Sequence, residues 1–473
     1  MLKNINILSK RRNNLKILFI LVIVSFTYLQ AILVSTTFVN NDLAVLEELD
    51  ISSNYITDYQ LQQEFQDRLK YSKKRYTQKL SKAHLFIPQI KKVLKDNNIP
   101  SAFLYLVMAE SNFMLNASSN KKAKGLWQFM RGTAKHYGLV TNEYIDERMD
   151  IVKSTQAAVK YLSRLHDMFG KWYLAAIAYN CGEGRVIEGI TRATLDMYCD
   201  DVGYKVCRKD PKMRRYRQII RDYQAKRVSF GKINKIYKVV KKWKYKPDID
   251  QLLIVQKGIG RQYLPEESRG YIRKIIALAM MNNSDFLIKD ENTHLLNRGI
   301  SDPIAHIDIK GGVLLKNVAE VLGMKTKELK ELNRHIRRNI LPLEKKTYRL
   351  YIPYSKLSRF NANKNNIKST QYVIYKVKKG DNLASIAKEF GLGYKTLKRH
   401  NHLKSSLIHI NQELIIPIDP DSYKQPIEYT VKVGDSLARI ASKFNTTFKK
   451  LMKDNNLKTS MIHIGDKLVI KFK

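Results

Sequence analysis

The sequence predicts a multidomain protein, mainly α in its amino-terminal half and built of small α+β units at its carboxyl end. Three observations carry that expectation. Between residues 85 and 190 apolar residues recur at helical spacing and strand signals are nearly absent. An internal repeat with a constant offset of 54 residues then runs without gaps to the end, setting Gly380-Asp381-Asn382-Leu383 against Gly434-Asp435-Ser436-Leu437. Finally, 473 residues are too many for one ordinary domain, and a 44% hydrophobic content suffices for two or three genuine cores.

In chain order, the basic residues Lys3, Lys10, Arg11, Arg12 and Lys16 precede an apolar stretch from Ile17 to about Val34. This predicts a signal peptide or an uncleaved amino-terminal membrane anchor over 1–38. No convincing cleavage site lies near Ala31 or Ser35, which favours retention, and the three cysteines, Cys181, Cys199 and Cys207, are too far downstream for lipid attachment. The basic flank stays inside and the remainder is exported. Lys and Arg number 85 against 43 Asp and Glu, a net charge of +42 whose field attracts polyanions. Export argues against nucleic acid and leaves an acidic wall polymer or an anionic membrane surface.

Helices are expected near 86–97, from 100 to 110, over 155–169 and from 172 through 179. Glu110 closes the apolar run 102–109 and is followed by Ser111 and Asn112. Burial there disfavours the charged carboxylate and raises its pKa, the tuning a glycosidic general acid needs. Trp127 and Phe129 read as core, Asp146-Glu147-Arg148 as a local ion-pair brace, and Gly182 and Gly184 as a left-handed turn ending the helix after Asn180. Cys181 reads as a small packing residue. Cys199 and Cys207 either close a small disulfide loop or stand as two free thiols. Without a Cys-x-x-Cys or paired-His spacing, no metal is expected, and no cofactor either.

Each repeat starts on an alternating strand (Tyr375, Val377; Tyr429, Val431), turns at Gly-Asp, continues at helical spacing through Leu383, Ile386, Ala387 and Phe390, and ends in a second strand. These β-α-α-β modules, at 372–417 and 427–473, resemble the LysM domain. That resemblance implies binding to the N-acetylglucosamine backbone of peptidoglycan or chitin. A weaker copy at 305–353 keeps Leu315, Val318-Ala319, Leu322, Leu332-Asn333 and Ile352-Pro353 but has Gly312-Val313 in place of Gly-Asp. It reads as a degenerate LysM-like unit. Polar stretches at 361–369 and 419–425 predict tethered modules rather than one rigid body.

Glu110-Ser111 is followed by Gly125-Leu126-Trp127-Gln128, by the segment from Ala178 to Gly184, and by the segment from Leu264 to Ile272. In this order they resemble the four motifs of the soluble-lytic-transglycosylase catalytic domain. The resemblance implies a lysozyme-like helical domain over 75–285, acting in the periplasm or membrane-associated cell envelope on peptidoglycan glycan strands. It implies cleavage of the β-1,4 bond between N-acetylmuramic acid and N-acetylglucosamine with formation of 1,6-anhydromuramoyl ends. Glu110 matches the single catalytic acid/base, Ser111 an orienting residue, and Gln128, Tyr179, Asn180 and Tyr271 positions lining the sugar cleft. An ordinary glycosidase needs a second carboxylate; here the substrate's acetamido group and 6-hydroxyl fill that role. Glu183 and Glu267 can be argued as second carboxylates, but Glu267 reads as structural, paired to a cation. A hydrolytic muramidase and a non-catalytic wall-binding protein are the rival classes. A basic stretch at 191–261, including Lys205, Arg214, Arg215, Arg217 and Lys242, separates the last two motifs. Contact with acidic wall peptides or anionic lipid is weighed there against a solvated face. The sequence leaves the oligomeric state open.

Overall fold

A computed structural model describes residues 40–142, 144–288, 303–341, 347–367, 371–390, 392–401, 403–418, 427–444, 446–457 and 459–470. The signal or anchor expected at 1–38 lies outside these. Among the described residues no helix is long and apolar enough to cross a membrane. The described residues divide into two compact units, 40–142 with 146–288 and 303–304, and 144–145 with the described part of 305–470.

The first unit is helical. Helix α1 spans Asn40–Glu48, α2 Tyr59–Tyr71, α3 Ile87–Asp96, α4 Phe103–Ser111, α5 Ile151–Phe169 and α6 Trp172–Cys181. Helix α4 is apolar on every side, so it can only be stable when surrounded, and it is buried from Phe103 through Met108. Glu48 serves its amino-terminal end, accepting from Ser101 Oγ at 2.9 Å and from Ala102 N at 3.0 Å. Asn112, left-handed at φ 52°, ends it. Asp58 caps α2 through Leu61 N at 2.7 Å and pairs with Arg273 at 3.0 Å. Residues 40–71 thus belong to the same packed body, and the unit begins ahead of residue 75.

Helix α7, Glu183–Val202, starts directly after α6. Gly182 does take the left-handed conformation expected, at φ 84°. Gly184 does not: it lies inside α7, where a Cβ would meet the Tyr223 hydroxyl at 2.4 Å. The basic stretch folds as a helical layer on α7, with α8 at Pro211–Gln224 and α9 at Phe230–Val240 burying Met213, Ile220, Ile233, Ile236 and Val240. Cys199 and Cys207 are joined in a disulfide. Arg214 and Arg215 are exposed, whereas Arg217 pairs with Asp196 at 2.9 Å and is not a free surface charge. Helix α10, Glu266–Met281, buries most of its length against α2, α4 and α6.

The second unit holds three two-stranded sheets. Strand β1 (Ile304–Lys310), helices α11 (Leu315–Leu322) and α12 (Thr326–Leu332), and β2 (Thr347–Pro353) form one module. Strand β3 (Gln371–Lys376), α13 (Leu383–Glu389), α14 (Tyr394–His400) and β4 (Glu413–Ile418) form the next, antiparallel with Tyr375 opposite Leu414. Strand β5 (Ile427–Thr430), α15 (Leu437–Lys443), α16 (Phe448–Asp454) and β6 (Lys467–Ile470) form the third, with Tyr429 opposite Leu468.

One device recurs in all three. Asn401 Nδ2 donates to Leu397 O at 2.9 Å and Ile415 O at 2.7 Å, and Asn401 Oδ1 accepts from Ile415 N at 2.6 Å. Asn455 and Asn333 do the same with Val469 and Tyr351. The amide satisfies a strand edge that a two-stranded sheet leaves open, which is why the residue type repeats. The Gly-Asp turn has its own reason: Asp381 accepts from Tyr375 OH at 2.8 Å and Lys378 N at 2.7 Å, and Asp435 from Tyr429 OH and Lys432 N. With Val313 at that position, the upstream module lacks this clamp.

The tethered arrangement expected from the linkers is not what forms. The last two modules share one apolar core that includes Tyr375, Phe390, Tyr429 and Phe444, with Phe390 and Phe444 rings 5.8 Å apart. Tyr372 and Ile415 in turn pack into the first module's core, and the Tyr372 hydroxyl donates to Leu341 O at 3.1 Å. The linkers were polar, but the strands they join carry apolar residues on both faces.

Candidate active site

Helix α4 delivers Glu110 at its carboxyl end, and α10 crosses it with Tyr271 and Lys274. The Tyr271 hydroxyl donates to Glu110 Oε1 at 2.5 Å. Lys274 Nζ donates to Ala109 O at 3.0 Å, setting an ammonium at the negative end of α4 beside the carboxylate. Burial raises Glu110 above the ordinary carboxylate range; the Tyr271 hydrogen bond and the Lys274 charge pull it back, and the Glu267 charge adds to the rise. The carboxyl is therefore poised to carry a proton nearer neutrality than a surface glutamate would.

The segment 125–129 joins this neighbourhood through Tyr179, whose hydroxyl reaches the Trp127 carbonyl and whose pKa the Glu110 charge affects. Gly125 turns at φ 81°, and a Cβ there would lie 1.8 Å from the Arg148 carbonyl oxygen, so only glycine fits. Gln128 is itself left-handed at φ 46° and its side chain donates to Gly125 O at 2.8 Å. Trp127 is fully buried, donating to Thr155 Oγ1 at 3.0 Å. Arg148 holds this segment from behind: it is bidentate to Asp146 at 2.8 and 2.9 Å and donates to Lys122 O at 3.0 Å and Phe129 O at 3.2 Å. What read as a local ion-pair brace is thus the support of the loop that presents Gln128.

Tyr179 and Asn180 come from the end of α6. The Tyr179 hydroxyl donates to Trp127 O at 2.6 Å; burial raises its pKa and the Glu110 charge adds to the rise, so both groups share one neighbourhood. Asn180 Oδ1 accepts from Ser268 Oγ at 2.6 Å. The structure thus gathers Glu110, Tyr179 and Tyr271, with Gln128 and Asn180 tied to the same frame. Ser111 is not brought to the cleft surface: it is 2% exposed and its hydroxyl donates back to Val107 O at 3.0 Å, which leaves it to shape the helix end. Glu267 has no cation partner among the described residues; it is exposed in the first turn of α10, where the helix dipole stabilises it. Glu183 is held by Arg164 at 2.9 Å. Burial pushes the Cys181 thiol up, away from the reactive thiolate.

Three features escaped the sequence reading. Lys274 stands three residues beyond Tyr271 on one helix face, a spacing that could have disclosed it. Tyr161 lies 5.3 Å from Tyr179 and 5.1 Å from Tyr137, extending an aromatic surface from the site. Glu188 is wholly buried and accepts from Arg261 at 2.6 Å and from Gln224 at 2.6 Å, while Arg185 and Arg192 donate to the Gln262 carbonyl. This network joins the basic layer to the segment leading into α10. Its partners are dispersed in sequence, so no local pattern announces it.

With Tyr271→Phe, the hydrogen bond that favours the charged form of Glu110 is lost and its pKa rises further. If protonated Glu110 is the form that starts the reaction, the alkaline limb of the pH–rate profile should move to higher pH, and the rate should fall by roughly tenfold to a hundredfold as the carboxyl loses its orientation. An alkaline limb that stays in place or moves downward would contradict this arrangement.

The chain matches three known families in four places. Residues 88–194 match the Transglycosylase SLT domain, residues 304–369 the LysM-like domain of lytic transglycosylase MltD, and residues 375–417 and 429–471 the LysM domain. It is 26% identical over 431 residues to the membrane-bound lytic murein transglycosylase D of Escherichia coli K12, covering 85% of this chain and 81% of that protein. A putative tributyltin chloride resistance protein of Alteromonas is 35% identical over 114 residues, 24% of this chain and 55% of that one. The probable peptidoglycan endopeptidase LytE of Bacillus subtilis is 39% identical over 106 residues, 20% of this chain and 32% of its own length. The chain thus carries a Transglycosylase SLT domain followed by LysM-type domains, and with the similarity over 85% of its length this indicates a peptidoglycan-cleaving lytic transglycosylase.

Proposed function

We propose that this protein is a peptidoglycan lytic transglycosylase of the cell envelope in which Glu110 is the only catalytic carboxylate. The observation that carries the reading is Glu110 itself, desolvated, raised in pKa and oriented by Tyr271, while Glu267, the carboxylate whose charge reaches it, is exposed. An ordinary glycoside hydrolase of either stereochemistry uses two placed carboxyl groups, substrate-assisted enzymes excepted. Glu110 protonates the leaving glycosidic oxygen, and the resulting carboxylate takes the proton of the muramoyl 6-hydroxyl as that oxygen closes on the anomeric carbon. The bond broken is the β-1,4 link between N-acetylmuramic acid and N-acetylglucosamine, and the bond formed is the 1,6-anhydro bridge. Tyr271 orients the carboxyl, Lys274 offsets its charge after the first proton transfer, and Gln128, Tyr179 and Asn180 line the sugar cleft. Ser111 supports the end of α4. Neither metal nor cofactor enters this scheme. Product mass decides the reading: anhydro ends weigh one water less than hydrolysed ends, and hydrolysed products from purified sacculi would overturn it.

The LysM domains keep the enzyme on its polymer. Each leaves two apolar residues exposed at matching positions of the loop before its last strand, Leu407 and Ile410 in one and Met461 and Ile464 in the other. Deleting residues 371–473 should weaken retention on sacculi by about a hundredfold or more through lost effective concentration, while cleavage of a soluble glycan fragment stays nearly unchanged. Equal loss in both assays would sink the tethering role. The exported, membrane-associated placement rests on the basic and apolar amino-terminal sequence, and protease accessibility in spheroplasts tests it.

A further inference from the structure

Residues 389 and 443 occupy the same position of the repeat, 54 apart, and carry opposite charges, Glu389 in one module and Lys443 in the other. Across the shared core Lys443 Nζ lies 2.9 Å from Glu389 Oε1, and its side chain is only 11% exposed. The same ammonium lies over four rings drawn from both modules, 4.1 Å from the Tyr429 centroid, 4.7 Å from Tyr375, 5.0 Å from Phe444 and 5.7 Å from Phe390. Lys378 adds a pair across the same boundary with Asp435 at 2.9 Å.

We propose that Glu389 and Lys443 lock the two LysM domains into one rigid, two-site glycan-binding body and specify that each module pairs with its neighbour in the chain. The proposal rests on the reading that these domains bind peptidoglycan glycan. Pairing of like modules from two copies would bring two Lys443 ammonium groups, or two Glu389 carboxylates, into one enclosed aromatic site, and an uncompensated buried charge of that kind is strongly destabilising. Burial draws the pKa of Lys443 down to about 8 even with Glu389 beside it, so the ammonium costs more than a methionine would in the same place. What it confers is choice of partner, the role a buried polar residue plays in a coiled-coil seam. A rigid pair also holds the two loops that expose Leu407 and Ile410 and Met461 and Ile464 at a set separation, so a second engagement loses little further freedom.

The test uses the full chain in a Glu110→Gln, Cys181→Ser background, with spin labels at Ser406→Cys and Ser460→Cys, exposed positions 54 residues apart. Pulsed electron resonance should give one narrow distance distribution. Glu389→Lys should broaden it and weaken binding to purified sacculi on the order of tenfold. The exchange Glu389→Lys with Lys443→Glu should restore both, which separates lost pairing from lost folding. A broad distribution in the parent, a narrow one persisting in Glu389→Lys, or no recovery in the exchange variant would each overturn the lock. Sacculus affinity that never changes while the distances do would overturn the two-site function. The distances do not depend on glycan, whereas full sacculus affinity after deletion of both modules would mean that the wall-binding reading itself had failed.

Discussion

Glu110→Gln will abolish release of anhydromuropeptides from sacculi, lowering turnover by roughly 10²- to 10⁴-fold, while sacculus binding stays intact. The range is that of a positioned proton donor and acceptor. The amide keeps the shape of the side chain and can still accept from the Tyr271 hydroxyl, so the fold of α4 and α10 has no reason to change. It can neither give a proton to the leaving oxygen nor take one from the 6-hydroxyl. Turnover assayed alongside circular dichroism checks this, and substantial residual activity in a folded preparation would remove Glu110 from its role.

Arg148→Ala should be nearly as damaging although Arg148 touches no substrate. Its side chain is 6% exposed and that of its partner Asp146 3%. Truncation strands the Asp146 carboxylate and uncouples the carbonyls of Lys122 and Phe129, at a cost of about 3–5 kcal/mol for breaking one side of a buried pair. The segment 125–129 then loses the support behind Gly125, and with it the placement of Gln128 and of the carbonyl that receives Tyr179. A melting temperature and an activity that both match the parent would show that the loop holds its shape without the pair. Asp146 bears on pH as well. Burial alone would raise its carboxyl, but the hydrogen bonds and charge of Arg148 outweigh this and hold it below the ordinary value. Its contribution is therefore complete at neutral pH and is lost on acidification through that lowered pKa.

The chemistry was legible in the chain because it depends on short, local signals. A carboxylate ending an apolar helix, a glycine with no room for a Cβ, and a repeat whose Gly-Asp turn and closing Asn satisfy their own module's backbone all lie within a few residues of the groups they serve. Helical and two-residue periodicities were enough to separate the helical half from the β-α-α-β modules. Polar linkers, by contrast, misled about modularity, since linker composition reports how a connection is solvated and says nothing of the apolar faces it lets meet. Lys443 reads in sequence as one more surface lysine among many; packing made it the occupant of an aromatic site opposite Glu389.

Relations across long sequence separations are of this second kind. Tyr271 reaches Glu110 from 161 residues away, and Arg273 reaches Asp58 from 215. Arg217 is spent on Asp196, and Glu188 on a set of arginines spread over α7 and the segment before α10. Whether a charge is free, paired or buried depends on which elements cross, and that is settled by the packing of whole helices. Residue order alone therefore disclosed the reaction and the modules that carry it. The pKa of Glu110, the withdrawal of Ser111 from the cleft, the exposure of Glu267 and the union of the LysM domains arose from desolvation and from contacts that exist only once the chain is folded.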